Sequence, residues 1–336
     1  MKKLFFKKLL VLLLVSCFFF VECNVVSSYA DETSIVQTAS LYTYGEMCKD
    51  LAELSVDYPE YITLSSMGVS TLGLNIPVVV LGNPAAPKRV LVTSTMHACE
   101  FLATQACMKL IEYYASEYSK GGMQDVYTTT CFYIIPMVNP DGVTVSQAGG
   151  DWIPDESIKA FVKGQGHYSK WKSNAVGIDL NRNFDAMWDR VNLQGFNAPS
   201  YRFWKGYQPE EAIECKELVA FAKSLPFDVF LNFHQQGNVI YNGSKLGTPY
   251  TNARSLNLAQ ILSSVNGYAV DKDPKVITPS SSFGTWADYV LLTFDKPSVT
   301  LEMGNALYPS GQKQVDSIVK RNKQVFRMVS AFLCAQ

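Results

Sequence analysis

Short apolar runs of β type alternate with helical patterns along this chain, and that alternation restricts the fold more than any other feature. The runs are residues 76–81, 90–95, 132–137, 229–233 and 298–302. Helical spacing covers 44–58, 100–116, 209–223, 255–265 and 315–334. In the second of these, Leu102, Ala106, Leu110 and Ile111 recur at helical spacing directly after a run. Strands that are apolar throughout are buried on both faces. The expected fold is therefore α/β: a single-domain mixed, mostly parallel sheet flanked by helices on both faces.

The residues with chemistry follow strand ends. His97 comes two residues after 90–95, and Asn139-Pro140-Asp141-Gly142 follows 132–137. His234 directly follows 229–233, and Glu302 ends 298–302. Open α/β sheets bind ligands at the carboxyl ends of their strands, so these distant positions are expected to converge. The chain has only three histidines, and two of them stand at such ends. A catalytic zinc takes three protein ligands and keeps a position for water. His97, Glu100 (in Met96-His97-Ala98-Cys99-Glu100) and His234 would supply that set. The pairing alone is weak, because 30 acidic residues in 336 make an accidental His-x-x-acid common. The third histidine, His167, lies in a loop-like stretch and is read as surface.

Residues 1–30 read as a signal peptide. Lys2, Lys3, Lys7 and Lys8 precede the apolar stretch 9–21, and Ser28-Tyr29-Ala30 offers a cleavage site before Asp31. The alternative is a lipid anchor at Cys17, in Leu14-Val15-Ser16-Cys17, although the apolar run continues past it. The apolar core is too short for a typical membrane span, so no stable membrane insertion is expected after cleavage. A short linker, 31–41, leads to one domain, 42–336. A net charge of −1 and scattered basic residues argue against a nucleic-acid partner. Cys48, Cys99, Cys107, Cys131, Cys215 and Cys334 remain after cleavage. Their irregular spacing is no disulfide framework, and buried free thiols are an equal reading.

Taken together, the His97-x-x-Glu100 pair, Asn139-Pro140-Asp141-Gly142, Asp179-Leu180-Asn181-Arg182-Asn183-Phe184, His234 and Thr300-Leu301-Glu302 resemble the zinc carboxypeptidases of the carboxypeptidase A type. The resemblance spans almost the whole mature chain, in family order. It implies one zinc per chain, held by His97, Glu100 and His234 at the carboxyl ends of the strands. It implies that Glu302 is the general acid/base, and that Arg182 and Asn181 hold a substrate carboxylate. A guanidinium fork suits that task. Asp141 is expected beside His97 as a hydrogen-bond acceptor. Lys172 stands where digestive members place the arginine that stabilises the oxyanion. Cys99 stands at or near another of their arginines, and no tyrosine occurs around 277–282 to fold over substrate. Gly284 aligns with the floor of the side-chain pocket.

The stretches around Trp171-Lys172-Ser173-Asn174 and Phe233-His234-Gln235-Gln236-Gly237 are similar to the bacterial branch that cuts γ-D-glutamyl–diaminopimelate bonds. The expectation is a secreted, monomeric zinc peptidase acting on a peptide or muropeptide substrate in the extracellular or cell-wall space of a bacterium. A generic peptide carboxypeptidase and a non-catalytic peptide-binding module on the same fold are the alternatives.

Overall fold

The structure is a computed structural model that describes residues 34–39, 41–271 and 283–335. The segment 1–30, read above as a signal peptide with an alternative anchor at Cys17, and the stretch 277–282 lie outside the described residues. All elements below belong to one unit, Ile35–Gln336. No helix among the described residues is long and apolar enough to cross a membrane.

An eight-stranded sheet forms the centre. Its strands are β1 (Ile62–Val69), β2 (Asn75–Leu81), β3 (Lys88–Ser94), β4 (Thr130–Ile135), β5 (Val229–His234), β6 (Val239–Asn242), β7 (Ala269–Val270) and β8 (Ser298–Glu302). They lie in the order β1-β2-β4-β3-β5-β8-β6-β7. The middle four, β4-β3-β5-β8, are mutually parallel. The pairs β1–β2, β2–β4 and β6–β8 are antiparallel. The expected mixed, mostly parallel sheet is the one observed.

Side-chain alternation explains why both faces are covered. Val90 and Val92 enter one core with Phe132, Ile134 and Leu231, whereas Leu91 enters the other with Tyr133, Ile135 and Phe230. The first core is closed by α1 (Tyr44–Asp57), α2 (Leu102–Ser119), α9 (Val315–Asn322) and α10 (Val325–Cys334). The second is closed by α6 (Ile213–Ser224) and α8 (Trp286–Thr293). Successive strand residues point to opposite faces, so a strand apolar at every position needs helices on both.

Three differences from the sequence reading have physical causes. The strand β1 was not anticipated because its exposed centre, Thr63–Ser66, has only Leu64 as an apolar residue and breaks the apolar pattern. The expected helix 315–334 is two helices. Asn322 is fully buried and turns its side chain onto the Ile318 carbonyl (2.8 Å) and the Tyr268 hydroxyl (2.9 Å), a local competitor of helical bonding. Asn139-Pro140-Asp141-Gly142 opens α4 (Pro140–Ala148), a helix that the apolar spacing did not predict. Asn139 caps it by accepting from Gly142 N, and Pro140 occupies the first turn. The remaining helices are α3 (Gln124–Tyr127), α5 (Glu156–Gln165) and α7 (Pro249–Asn266). All six described cysteines are free thiols.

Candidate metal centre

The parallel strands deliver the key residues to one edge. β3 ends at Ser94, and Thr95 follows at φ 54°, a left-handed conformation that costs a branched residue energy and redirects the chain. His97 then precedes a 3₁₀ turn, Ala98–Glu100, which brings Glu100 back beside the imidazole. His234 is the last residue of β5, in register with Glu302, the last residue of β8. Parallel register places both side chains on the same sheet face.

Glu100 is the hub. It is 1% exposed, and its carboxylate receives four groups. His97 Nδ1 (2.8 Å) and Lys172 Nζ (2.9 Å) meet Oε1. His234 Nδ1 (2.8 Å) and the Gln235 backbone N–H (3.1 Å) meet Oε2. Burial opposes the charge on Glu100, but His97, Lys172 and His234 hold its pKa well below the ordinary value. Lys172 moves the other way: burial alone would lower its pKa, and the Glu100 charge raises it instead.

The loop carrying Lys172 is stitched to the ligand turn. Ala98 N donates to Lys172 O (3.3 Å) and Cys99 N to Trp171 O (2.7 Å). Asn139 braces both, donating from Nδ2 to Met96 O and Ser173 O at 3.1 Å each. A side chain at Gly142 would stand 2.4 Å from Ser173 O, so only glycine admits this approach.

The acceptor beside His97 corrects the sequence reading. His97 Nε2 lies 3.3 Å from Asp179 Oδ1, not beside Asp141. The contact is off the line of a good hydrogen bond and acts through charge. Burial would lower the His97 pKa, yet Glu100 and Asp179 raise it. Asp179 is fully buried, and His97, Arg182 and Lys172 depress its pKa against the effect of burial. Asp141 instead accepts from Ser70 Oγ (2.9 Å) and Leu72 N (2.7 Å), fixing the loop after β1. The Ser70 hydroxyl takes one of its oxygens and the Leu72 N–H the other, which turns the carboxylate toward this loop and away from the imidazole.

Asp141 carries a stability prediction. Burial, with the nearby Glu214 charge, pushes its pKa from 3.8 up to about 6, against the Leu72 and Ser70 bonds. The folded chain thus keeps a proton between about pH 4 and pH 6 that the unfolded chain releases. Its contribution is full below about pH 4 and is lost as pH rises through about 6, roughly 3 kcal/mol in all. Asp141→Asn is expected to flatten the fall in Tm across that window. An unchanged slope would assign it to other groups.

Glu302 sits at the rim of the hub. Burial and the Glu100 charge push its pKa up to about 7, although His234 and Lys172 pull it down. Arg182 and Asn181 follow Asp179 on a 3₁₀ turn, Leu180–Arg182. Asn181 Oδ1 accepts from Trp286 N (3.0 Å), which fixes the amide plane. Arg182 donates from Nη1 to Asn181 O (2.6 Å), and its buried Nε has no hydrogen-bond partner. No ion pair joins Arg182 to Asp179 among the bridges of the described residues. Gly284 (φ +73°) packs its Cα within reach of Arg182 O, where a side chain would stand 2.5 Å away. Its absence of a side chain serves that backbone approach. His167 is exposed in its loop and lies against Tyr201, apart from the hub.

The donor set fits zinc. His97, Glu100 and His234 are buried, with their ligand atoms within 4.8 Å of one another. Two imidazoles and one carboxylate are the ligand types that a hydrolytic zinc site uses, and an acidic group behind one imidazole orients it. Asp179 and the Gln235 N–H are the members of this site that the sequence reading missed. The signal for Asp179 was present: it heads the Asn181-Arg182 motif at the position that caps the turn.

Comparison with known proteins agrees with this geometry. A family model described as zinc carboxypeptidase matches residues 47–324. The chain is 28% identical over 295 residues to the γ-D-glutamyl-L-diamino acid endopeptidase 1 of Lysinibacillus sphaericus, covering 85% of this chain and 71% of that one. It is 25% identical over 201 residues to carboxypeptidase B of Astacus astacus, covering 58% and 61%. Thrombin-activatable fibrinolysis inhibitor shares the fold, with a TM-score of 0.73 at 16% identity over 93% of this chain and 78% of that chain.

Proposed function

As a member of the zinc carboxypeptidase family, the chain is a zinc-dependent peptidase, and we propose that its substrate is a cell-wall peptide of the γ-D-glutamyl–diaminopimelate type. The observation that carries the chemistry is the convergence of His97, Glu100 and His234, with Glu302 in register beside them. Zinc bound there acidifies water and polarises an amide carbonyl. Glu302 takes the proton of the attacking water on a carboxylate oxygen and later delivers it to the leaving amine nitrogen. A pKa near neutrality suits both transfers. The Lys172 ammonium faces the oxygen on which charge develops. Arg182, with its unpartnered Nε, and Asn181 hold a carboxylate of the substrate near the scissile bond.

Two observations support the cell-wall substrate. The Lysinibacillus relative, named for γ-D-glutamyl-L-diamino acid cleavage, matches across 85% of this chain. The chain also carries Lys172 and Cys99 where the digestive members place arginines. The basic-then-apolar segment 1–30 supports export to the compartment where such peptides occur.

The test uses residues 31–336 supplied with zinc. L-Ala-γ-D-Glu-diaminopimelate is incubated beside a series of ordinary peptides with free carboxyl termini, and released products are quantified. Release of diaminopimelate at least about tenfold faster than ordinary cleavage is expected, a margin of ~1.4 kcal/mol in transition-state binding. Cleavage of ordinary peptides only would remove the cell-wall substrate. Folded protein with neither metal nor cleavage would remove the mechanism.

A further inference from the structure

We propose that Gln235 is a positioning residue whose side chain holds the turn carrying Glu100 and the loop after Glu302 in fixed relation to His234, and so tightens the site for zinc. The proposal rests on the peptidase reading above. Gln235 follows His234 at the end of β5 and is 4% exposed. Its amide Oε1 accepts from Ala103 N (3.2 Å), in the first turn of α2. Its Nε2 donates to Ala306 O, a longer contact of 3.4 Å. Its own backbone N–H meets Glu100 Oε2 at 3.1 Å. One residue thus touches the segments that carry Glu100, His234 and Glu302.

Helix α2 begins just after Glu100, and its first N–H groups need acceptors that the helix itself does not supply. Phe101, at the capping position, has no side-chain oxygen to offer. Gln235 supplies one from the end of a strand. The other half of its amide meets a loop that already leans on the same helix start. Tyr308 lies against Phe101, with ring centroids 4.9 Å apart, and a side chain at Gly311 would stand 3.0 Å from Leu102 Cδ1. The chain after Glu302 also runs beside the chain after His234: Met303 N donates to His234 O and Gly237 N to Gly304 O, at 2.8 Å each. A neutral amide suits this place, because it donates on one side, accepts on the other and adds no charge beside the ligands.

Removing the amide leaves the buried Ala103 N–H without this acceptor and unties the loop after Glu302 from α2. The start of α2 can then shift against β5. His97 and Glu100 sit on the turn that leads into α2 and move with it, whereas His234 stays with the strand. Ligands that lose a fixed separation bind their ion more weakly. A side chain that only capped the helix would lower Tm and leave the zinc affinity alone.

The experiment measures the zinc Kd by competition with a chromogenic chelator, and the Tm of metal-free protein, for the wild type, Gln235→Met and Leu262→Ala. Methionine keeps the length of the side chain and removes both of its hydrogen bonds. Leu262, fully buried on α7, is the control: its truncation lowers Tm by emptying core volume and removes none of these bonds. Gln235→Met is expected to bind zinc about tenfold more weakly, the lower end of the range for partners of metal ligands. It should also shift the visible spectrum of cobalt bound in place of zinc, which follows ligand geometry. Leu262→Ala should leave both at wild-type values. A loss of less than about threefold in Gln235→Met overturns the proposal. So does an equal loss in Leu262→Ala, which would make the effect one of stability alone. Should metal-free Gln235→Met not fold, zinc release from its loaded form is timed against the other two proteins. Faster release supports the proposal, and release at the rate of either comparator overturns it. A wild type that binds no zinc is a separate result, which removes the peptidase reading itself.

Discussion

Glu302→Gln is expected to lower kcat by roughly 10³-fold, the middle of the range for a positioned general acid/base, while bound zinc and Tm stay at wild-type values. The substitution keeps the size and the strand register with His234. It removes the one property that the proposed chemistry needs, an oxygen that accepts a proton near pH 7. KM for a carboxylate-bearing substrate should change little, since Arg182 and Asn181 sit on a separate turn. A binding module would show no turnover in the wild type and the same affinity in both forms. A loss of less than about tenfold would leave Glu302 with no role as the base, because water or a neighbour would be doing its work.

Removing the metal should have the larger effect still. Dialysis against a chelator is expected to cut turnover by about 10⁴-fold or more, since several kcal/mol of charge stabilisation at ~1.4 kcal/mol per tenfold disappear together. One equivalent of zinc per chain should restore it. His234→Ala should reproduce the loss without rescue, because it deletes one of three ligands that lie within 4.8 Å of one another. Zinc should also raise the Tm of the wild type in proportion to its excess over Kd, and leave that of His234→Ala nearly unmoved. Full turnover at a metal content below about one tenth per chain would contradict the role given to the site.

The site was legible because its ligands obey a rule of parallel sheets. His97, His234 and Glu302 each stand at or just after a strand end, and parallel strands carry those ends to one edge. The short spacing of His97 and Glu100 likewise allowed one turn to bring them together. Asp141 was misread for a reason of the same kind. It also follows a strand end, but its oxygens are claimed by Ser70 and Leu72, residues about 70 positions earlier whose arrival no local pattern announces.

The chain's own pattern determined the sheet with its two helix layers, the ligand types and the edge where they meet. Apolar periodicity and short-range spacing are local properties, and they reflect burial that every solution of this fold shares. Tertiary structure alone decided which carboxylate stands behind His97, that Asn322 divides the last helix, and that Lys172 reaches Glu100. Those outcomes depend on contacts between residues far apart in sequence, 72 positions in the case of Lys172 and Glu100. Hydrogen-bond partners at that range are chosen by how packed elements meet, and not by any preference of the residues themselves.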